Sequence, residues 1–486
     1  MRYESTRGKS GPVSPAEALL NGAAGDGGLY MPDTMPDLSH LMTGEYDYAR
    51  LAARVFAALL PGFSDAELSA VARAAYVAQF DTPDIAPLVR VGDCHILELS
   101  HGPTAAFKDL ALQALPRLMA LAREKLDSKG KYLVLTATSG DTGSAAMRGF
   151  MDVPGFRVLV YYPRGGVSAV QLAQMTRMAG DNVRAVGIRG NFDEAQAGVK
   201  EAFAMDKARP PRDLKLSSAN SINIGRLVPQ IVYYIAAFRA LYKSGALRPG
   251  QAADFIVPSG NFGDILAGYL AGSMGLPVGR LVCASNENSV LADFLTTGVY
   301  DRRRPLRRTI SPSMDILVSS NLERLLYEAS GRDAKWVSSL MRLLKEDGHY
   351  RVDGETLRRI QEQFAGVSAD GARAMAAIRD VWQRHRYLMD PHTATAWAAQ
   401  GALAGSDHPR VILSTASPFK FPGAVLRALG RVEAMDEGSL PQELSAVTGL
   451  DIPRSLVGLM DQPLRHPDVI DKGDILDDVL REAASW

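Results

Sequence analysis

Short apolar runs alternate with helical patterns over much of the chain after residue 130. The run KYLVLTA at residues 131–137 is followed by a helical pattern, and so is FRVLVYY at residues 156–162. Strands buried on both faces appear as continuous apolar runs, and the helices that cover them repeat every 3.6 residues. The pattern therefore predicts an α/β fold in which parallel sheets are flanked by helices. The predicted strands are residues 131–137, 156–162, 183–188, 254–257, 280–284 and 410–413, and the predicted helices after the first three are 143–151, 168–179 and 192–205.

The first 95 residues lack this alternation and carry helix start signals instead. Ser14 and Glu17 have the spacing of a capping box, with Pro15 at the first helical position, and Ser64 and Glu67 repeat that spacing. Further helices are predicted at residues 48–60 and 64–80. The sequence therefore predicts a helical N-terminal domain.

These patterns divide the chain into three parts. We expect the helical N-terminal domain over residues 1–95, a central two-lobed region over 96–430 and a C-terminal segment over 431–486. Within the central region, a smaller lobe is expected at roughly 130–215 and a mostly helical insertion at roughly 321–386.

Composition narrows the class of protein. The 486 residues contain 54 basic and 54 acidic side chains, and this balance argues against electrostatic binding to nucleic acid or to an anionic membrane. The one basic run, residues 301–308, has the composition of a solvated loop. Cys94 and Cys283 have neither metal-ligand nor CxxC spacing, so no metal site or disulfide framework is predicted. The longest apolar stretch is too short to cross a bilayer and no signal-peptide core is visible, which together favour a cytoplasmic protein.

Lys108 lies in the stretch LELSHGPTAAFKD, between a Gly-Pro turn and an apolar helical pattern. Burial disfavours the charged form of an amine, and a neutral amine can condense with a carbonyl group. The same stretch would also suit an ordinary lysine that lies along an apolar surface with its charge in water. The lysine alone leaves these two interpretations open.

Three loops rich in glycine and hydroxyl residues follow predicted strands or precede predicted helices. They are TATSGDTGS at residues 136–144, SSANSINIGRL at 217–227 and PSGNFGD at 258–264. Amide groups at such strand–helix turns can bind an anion, although each loop alone is also typical of an ordinary turn. None has a Walker or GxGxxG spacing. Two such loops and a buried lysine favour a phosphorylated aldehyde cofactor over a nucleotide.

Nine short motifs together give a specific resemblance. The chain resembles the threonine synthase family, whose members depend on pyridoxal phosphate and have the tryptophan-synthase-β type of fold (fold type II), and its longer motifs are similar to those of the bacterial and fungal branch. The motifs occur in the order of the family. They are YESTRG from Tyr3, DGGLYMP from Asp26, HGPTAAFKD from His101, TSGDTG from Thr138, NSINIGR from Asn220, PSGNFGD from Pro258, SPSMDILVSSNLERLL from Ser311, DPHTATA from Asp390 and STASPFKFP from Ser414.

The resemblance implies a role for each matching residue. Lys108 is implied to bind pyridoxal 5'-phosphate covalently and to act as the catalytic residue. Asp141 is implied to lie beside the ring oxygen of the cofactor, and Thr415 to hydrogen-bond the pyridine nitrogen. The residues implied to hold the cofactor's phosphate are Ser259, Gly260, Asn261, Phe262 and Gly263, and those implied to hold the substrate's phosphate are Ser139, Thr142, Asn220, Ser221 and Arg226.

The reaction implied by the resemblance converts O-phospho-L-homoserine and water to L-threonine and phosphate, by γ-elimination and β-addition of water. Two departures stand out: Ser417 replaces a histidine of the family pattern, and Asp264 stands where asparagine is common. The alternatives are a related lyase that releases 2-oxobutyrate or a similar keto acid, and a catalytically silent binding protein on the same fold. The expected assembly is a monomer or a homodimer.

Overall fold

The computed structural model describes residues 1–208, 214–248, 250–431 and 436–485. The strands are β1 (Tyr3–Ser5), β2 (Tyr30–Pro32), β3 (Leu88–Val91), β4 (Cys94–Glu98), β5 (Lys131–Ala137), β6 (Phe156–Pro163), β7 (Val183–Arg189), β8 (Leu214–Ser218), β9 (Ala253–Pro258), β10 (Val278–Ser285), β11 (Val299–Asp301), β12 (His349–Arg351), β13 (Phe364–Ser368), β14 (Arg410–Ser414) and β15 (Val469–Asp471).

The helices surround two main sheets. They are α1 (Pro15–Asn21), α2 (Tyr48–Leu59), α3 (Asp65–Tyr76), α4 (Lys108–Leu112), α5 (Leu115–Lys125), α6 (Asp141–Phe150), α7 (Ala169–Thr176), α8 (Phe192–Ala208), α9 (Ile224–Lys243), α10 (Gly263–Ser273), α11 (Val290–Thr297), α12 (Leu322–Ala329), α13 (Ala334–Glu346), α14 (Gly354–Gln363), α15 (Gly371–His385), α16 (Pro391–Ala398), α17 (Pro422–Ala428), α18 (Leu440–Thr448) and α19 (Ile475–Ala484). The α/β fold with parallel sheets flanked by helices is confirmed.

The larger sheet has the strand order β13-β10-β9-β14-β4-β3, and all its neighbours are parallel except β3 and β4. Every residue of β9 is buried, as its continuous apolar run requires. Phe255 and Val257 point into the main hydrophobic core, whereas Ile256 between them packs in a second core with Ala396 of α16. Both faces of this sheet are therefore covered.

The smaller sheet has the order β15-β7-β6-β5-β8 and is parallel throughout. Successive residues of β5 again face different cores: Val134 lies in the main core, and Leu135 lies in a separate core with Ile475 of α19. The expected smaller lobe at 130–215 therefore needs a correction. It continues through β8, and the C-terminal segment supplies β15 and α19, because these elements cover an otherwise open edge and face of the sheet.

The first 95 residues are not helical throughout. The three-residue strands β1 and β2 form an antiparallel pair, and β3 joins the edge of the larger sheet. The expected boundary at residue 95 falls inside β4, and residues of α2 and α9 share one core, so no structural boundary lies there. Strands of three or four residues are too short to show a reliable alternation. The insertion at 321–386 contains two further strands that were not predicted: β12, which is equally short, and β13, which has five residues and pairs with β10.

No helix within the described ranges is both long enough and apolar enough to span a membrane.

Candidate active site

A cavity of about 240 Å³ lies where β5, β8, β9 and β14 end. Ligands of open α/β sheets bind at the carboxyl ends of strands. The cavity brings together every residue that the sequence analysis selected, although their roles stay predictions. These lining residues are Lys108, Ser139, Asp141, Thr142, Asn220, Ser221, Arg226, Ser259, Gly260, Asn261, Phe262, Gly263 and Thr415.

Lys108 is the first residue of α4, and its side chain is 13% exposed. Its Nζ lies 4.7 Å from the centre of the Phe107 ring and 3.5 Å from Oδ2 of Asp141. Burial lowers the pKa of Lys108; the carboxylate of Asp141 opposes this, while Arg226 and Lys420 add to it. The amine is therefore more easily deprotonated than an exposed lysine.

Asp141 is the centre of a buried polar network. Its Oδ1 forms an ion pair with Lys420 Nζ at 2.9 Å and accepts from Gln171 Nε2 at 2.8 Å, and its Oδ2 accepts from Ser313 Oγ at 2.8 Å. Burial would raise the pKa of Asp141, but the charges of Lys420 and Lys108 and the hydrogen bond from Gln171 outweigh it and hold the pKa well below its usual range. Asp141 is therefore a permanent carboxylate.

The loop before α6 determines where Asp141 lies. Thr138 Oγ1 accepts from the backbone amides of Gly140 and Gly143, each at 2.9 Å, and this closes the turn. Gly140 has a φ of 132°, and a Cβ there would lie 2.4 Å from Cδ of Gln171. Only glycine therefore allows the turn and the Gln171–Asp141 hydrogen bond to coexist.

Lys420 is a site residue that the sequence analysis missed. Its side chain is 0% exposed, and Nζ also donates to the carbonyl oxygen of Thr104 at 2.7 Å. Ser417 begins the short helical turn Pro418–Lys420 and its Oγ accepts from the amide of Phe419 at 3.3 Å. The serine that departs from the family pattern thus caps the turn that carries Lys420. The sequence did offer one sign of this residue, because Lys420 stands between two phenylalanines in the same motif as Thr415.

His392 also lines the cavity and was not predicted. Its Nε2 accepts from the backbone amide of Ser313 at 3.2 Å, and Nδ1 lies 2.7 Å from Oδ1 of Asp390. An accepting Nε2 requires the proton on Nδ1, which then donates to Asp390. The histidine therefore helps to position Ser313 against Asp141.

The turn between β9 and α10, residues 259–262, is here named the glycine turn, and it lies close to the segment that contains Ser313. A Cβ on Gly260 would lie 2.9 Å from the backbone oxygen of Ser313, so only glycine fits. Phe262 has a φ of 62°, a left-handed conformation that is rare outside glycine. Ser319 Oγ donates to the oxygen of Gly260 at 2.8 Å, and Asn321 Nδ2 donates to that of Asn261 at 3.0 Å. The first amides of α10 have no acceptor within the helix, so this cradle suits an anion.

Arg226 is the second candidate for binding an anion. It is buried, Nη1 donates to the carbonyl oxygen of Ala219 at 2.6 Å, and Nε has no hydrogen-bond partner among the residues that the structure describes. Burial lowers the pKa of Arg226 to about 10. A buried donor without a partner is costly, and an anion in the cavity would satisfy it.

Arg324 was also missed, although it lies in a motif quoted above. It is fully buried, Nε donates to the oxygen of Tyr30 at 3.1 Å, and Nη2 donates to that of Ile222 at 2.7 Å. Nη1 donates to the side chain of Asn321. One arginine therefore joins the N-terminal strand pair, the segment before α9 and the residue that holds the glycine turn.

Asp264 is enclosed by two tyrosines. Its Oδ1 accepts from Tyr233 Oη and, at 3.4 Å, from Tyr234 Oη, while Oδ2 is buried and has no partner in the described part of the chain. Burial raises the pKa of Asp264 to about 7. This second departure from the family pattern is thus a buried carboxyl group that can be protonated near neutral pH.

No group of three or more His, Cys, Asp or Glu residues in the described part of the chain could hold a metal ion.

Family comparisons agree with this geometry. The family model described as "Pyridoxal-phosphate dependent enzyme" matches residues 83–416, "Threonine synthase N terminus" matches 2–76, and "Threonine synthase, C-terminal" matches 393–472. The chain is 39% identical to the threonine synthase of Pseudomonas aeruginosa, over 90% of this chain and 92% of that one. It is 35% identical to the threonine synthase of Saccharomyces cerevisiae, over 92% and 93%. The PLP-bound threonine synthase structure from Brucella melitensis superposes with a TM-score of 0.86 at 37% identity, and 99% of each chain is covered.

Proposed function

The chain belongs to the threonine synthase family of pyridoxal-phosphate-dependent lyases, which carry out the last step of threonine biosynthesis, and we propose that its substrate is O-phospho-L-homoserine. The products would be L-threonine and phosphate, with one water consumed. The observation that carries this proposal is that one cavity is lined both by the glycine turn before α10 and by Arg226, whose Nε has no partner among the described residues. The glycine turn suits the phosphate of the cofactor, and Arg226 suits the phosphate of a substrate.

The residues present fit pyridoxal 5'-phosphate. The absence of a Cβ on Gly260 lets this turn lie against the backbone of Ser313, and the first residues of α10, whose amides have no acceptor within the helix, line the same cavity as Lys108. We propose that Ser259 and the four residues after it hold the cofactor phosphate, that Asp141 lies near the ring oxygen, and that Thr415 lies near the ring nitrogen. When bound, the cofactor supplies an aldehyde for the amine of Lys108 and an electron sink for a carbanion.

Lys108 is the proposed general base. Burial lowers the pKa of Lys108, which favours the neutral amine, and in that form Nζ can accept a proton from the α-carbon of the substrate and later return it. Asp141 is fixed by Lys420, Gln171 and Ser313, so the proton would move at Lys108 while Asp141 stays ionised.

Arg226 is proposed to stabilise the departing phosphate. The charge on the phosphate increases as the carbon–oxygen bond at the γ-carbon breaks, and a buried guanidinium is most effective where charge develops. We propose that Ser139, Thr142, Asn220 and Ser221, which line the same cavity, donate further hydrogen bonds to this group.

Product analysis tests the proposed function. The purified protein is incubated with O-phospho-L-homoserine, and threonine, phosphate and 2-oxobutyrate are quantified. Threonine and phosphate in equal amounts are expected. Phosphate with keto acid but no threonine would replace the proposal with a phospho-lyase, and the absence of phosphate release would favour a silent binding protein.

Borohydride trapping tests the role of Lys108 separately. Reduction of the native protein, digestion and mass spectrometry should place the cofactor on the peptide that contains Lys108. The Lys108→Ala variant should lose the adduct and the activity. An adduct on another lysine would contradict the assignment.

We further propose a reducing, cytoplasmic environment, because both Cys94 and Cys283 are buried free thiols. Fractionation of cells that produce the protein, followed by thiol labelling after denaturation, would test this.

A further inference from the structure

Two lysines share one carboxylate in the candidate active site. Lys420 Nζ lies 2.9 Å from Oδ1 of Asp141, and Lys108 Nζ lies 3.5 Å from Oδ2 of the same residue. A single negative charge cannot compensate two ammonium groups in a buried site, so one of the two amines is favoured to lose its proton.

The surroundings of the two amines differ. Lys420 is 0% exposed, and its Nζ forms an ion pair with Asp141 at 2.9 Å and donates to the carbonyl oxygen of Thr104 at 2.7 Å. Among the described residues, the contacts of Lys108 Nζ are a longer one with Asp141, at 3.5 Å, and the face of the Phe107 ring. An ammonium group has three donors to satisfy, so the lysine with the better acceptors keeps its charge at the lower cost.

We propose that Lys420 is a positioning residue, which holds the carboxylate of Asp141 as its own ion-pair partner and thereby leaves Lys108 available as a neutral amine. This inference rests on the proposed function, because it explains how the amine that is to bind the cofactor becomes reactive. Lys420 itself does not react. Its effect passes through the charge balance around Asp141.

The other charged groups nearby do not supply a second negative charge beside Lys108. Arg226 adds a further positive charge, Asp264 is a carboxyl group whose pKa burial raises to about 7, and the carboxyl group of Asp109 faces Lys420 rather than Lys108. The titratable and charged groups that face Lys108 or its partner Asp141 are thus Asp141, Lys420, Arg226, Asp264 and His392, with Asp109 facing Lys420.

The Lys420→Met variant removes the charge with little other damage. The carbonyl of Thr104 still accepts from Gln174 Nε2 at 3.0 Å, and Asp141 still accepts from Gln171 and Ser313. Asp141 would then have Lys108 as its one lysine partner. We expect Lys108 to hold its proton more tightly as a result.

The test measures the reactivity of Lys108 rather than catalysis. The full-length chain, freed of cofactor, is labelled with trace acetic anhydride at a series of pH values, and acetylation of each lysine is quantified by mass spectrometry. The exposed residues Lys243 and Lys335 serve as internal references. In Lys420→Met the labelling midpoint of Lys108 should rise by about one pH unit, which is about a tenfold loss of reactivity below the midpoint.

A variant that keeps the charge separates the effect of charge from that of packing. Lys420→Arg should leave the labelling midpoint of Lys108 near that of the native protein. An unchanged midpoint in Lys420→Met, or equal shifts in the Met and Arg variants, would overturn the proposal. Should Lys420→Met lose its near-ultraviolet circular dichroism, Lys420→Gln replaces it, because its amide can still donate to Thr104.

The native protein provides a test without any variant. Its Lys108 should be half-labelled at a clearly lower pH than Lys243 and Lys335, and a midpoint equal to theirs would overturn the proposal. These outcomes are independent of product analysis. A protein that makes no threonine but shows the expected labelling loses the proposed function alone, and one that makes threonine without the shift loses this inference alone.

Discussion

The side-chain amide of Asn321 donates to the backbone oxygen of Asn261 at 3.0 Å, and this contact fastens the glycine turn to the residue just before α12. Asn321 is itself held by Arg324, which also donates to carbonyl groups of the N-terminal strand pair and of the segment before α9. The proposed cofactor cradle therefore depends on residues far from it in sequence, and its geometry can be tested at Asn321.

We expect Asn321→Ala to weaken binding of pyridoxal 5'-phosphate about fivefold. The variant removes the hydrogen bond that holds the turn, and a buried hydrogen bond of this kind contributes about 1 kcal/mol. The dissociation constant is measured by titrating the cofactor-free protein and following intrinsic fluorescence. Asn182→Ala is the matched control, because Asn182 bonds three backbone groups of the smaller lobe. Equal cofactor affinities in the two variants would contradict the role given to Asn321.

Gly260→Ala should also weaken the cofactor site, for a steric reason. The new Cβ would lie 2.9 Å from the oxygen of Ser313 and 3.3 Å from Cα of Met314, both backbone atoms that cannot rotate away. Overpacking of this kind costs about 1–3 kcal/mol. It should displace Ser313, whose hydroxyl donates to Asp141, and so disturb Asp141 as well. We expect cofactor affinity to be about 5-fold to 150-fold lower.

The control for this substitution is Gly401→Ala, where a Cβ would have no heavy atom within 4 Å. Its cofactor affinity and melting temperature should match those of the native protein. A Gly260→Ala variant that binds cofactor normally would show that the turn and the Ser313 segment are not rigidly packed.

Local sequence patterns predicted the long elements of the fold and indicated that the candidate residues lie close together. Continuous apolar runs such as that of β9 have no alternative to burial on both faces, and loops after parallel strands meet at one edge of a sheet. These two rules, together with the ordered motifs, suffice to place Lys108, Arg226 and the glycine turn in one cavity.

The partners of Asp141 could not be found in the same way. Gln171 belongs to the smaller lobe, as Asp141 does, but Ser313 and Lys420 come from segments far along the chain from it. Neither the periodicity of apolar residues nor the spacing of residues within a motif indicates contacts between segments so far apart in the sequence. The short strands β1 and β13 were missed because their pairing partners, rather than their own residues, make them strands.

Arg226→Gln should reduce kcat/KM for O-phospho-L-homoserine about a hundredfold, because the charge that is proposed to meet the leaving phosphate is lost. Inhibition by inorganic phosphate should weaken in parallel, whereas cofactor affinity should not change. Steady-state kinetics with phosphate as the inhibitor provide both values.

The matched control is Arg239→Gln on the same helix. Arg239 is partly buried and donates to the carbonyl groups of Leu41 and Tyr46, far along α9 from Arg226. This variant should lose stability but keep the native inhibition by phosphate. If the control loses phosphate inhibition as strongly as Arg226→Gln does, the proposed anion site is elsewhere.

Asp264 should make the stability of the protein fall as pH rises toward neutrality. Its pKa is about 7 in the folded chain because of burial, against an ordinary value of 3.8, so the folded state binds the proton more tightly than the unfolded state. The contribution of Asp264 to the free energy of unfolding is therefore fully present below about pH 4, falls between about pH 4 and 7 and is lost above that range. Each unit of pKa difference corresponds to about 1.4 kcal/mol.

The Asp264→Asn variant isolates this contribution, because an amide cannot ionise. Melting temperatures of both proteins are measured from pH 5 to 9, and the difference, native minus variant, should fall as pH rises and level off above about pH 8. Other titrating groups cancel in this difference. Tyr233→Phe offers a second test: the hydroxyl of Tyr233 lowers the pKa of Asp264, so its removal should move the transition to higher pH. A difference that stays constant, or that rises with pH, would mean that the carboxyl group is ionised throughout this range despite its burial.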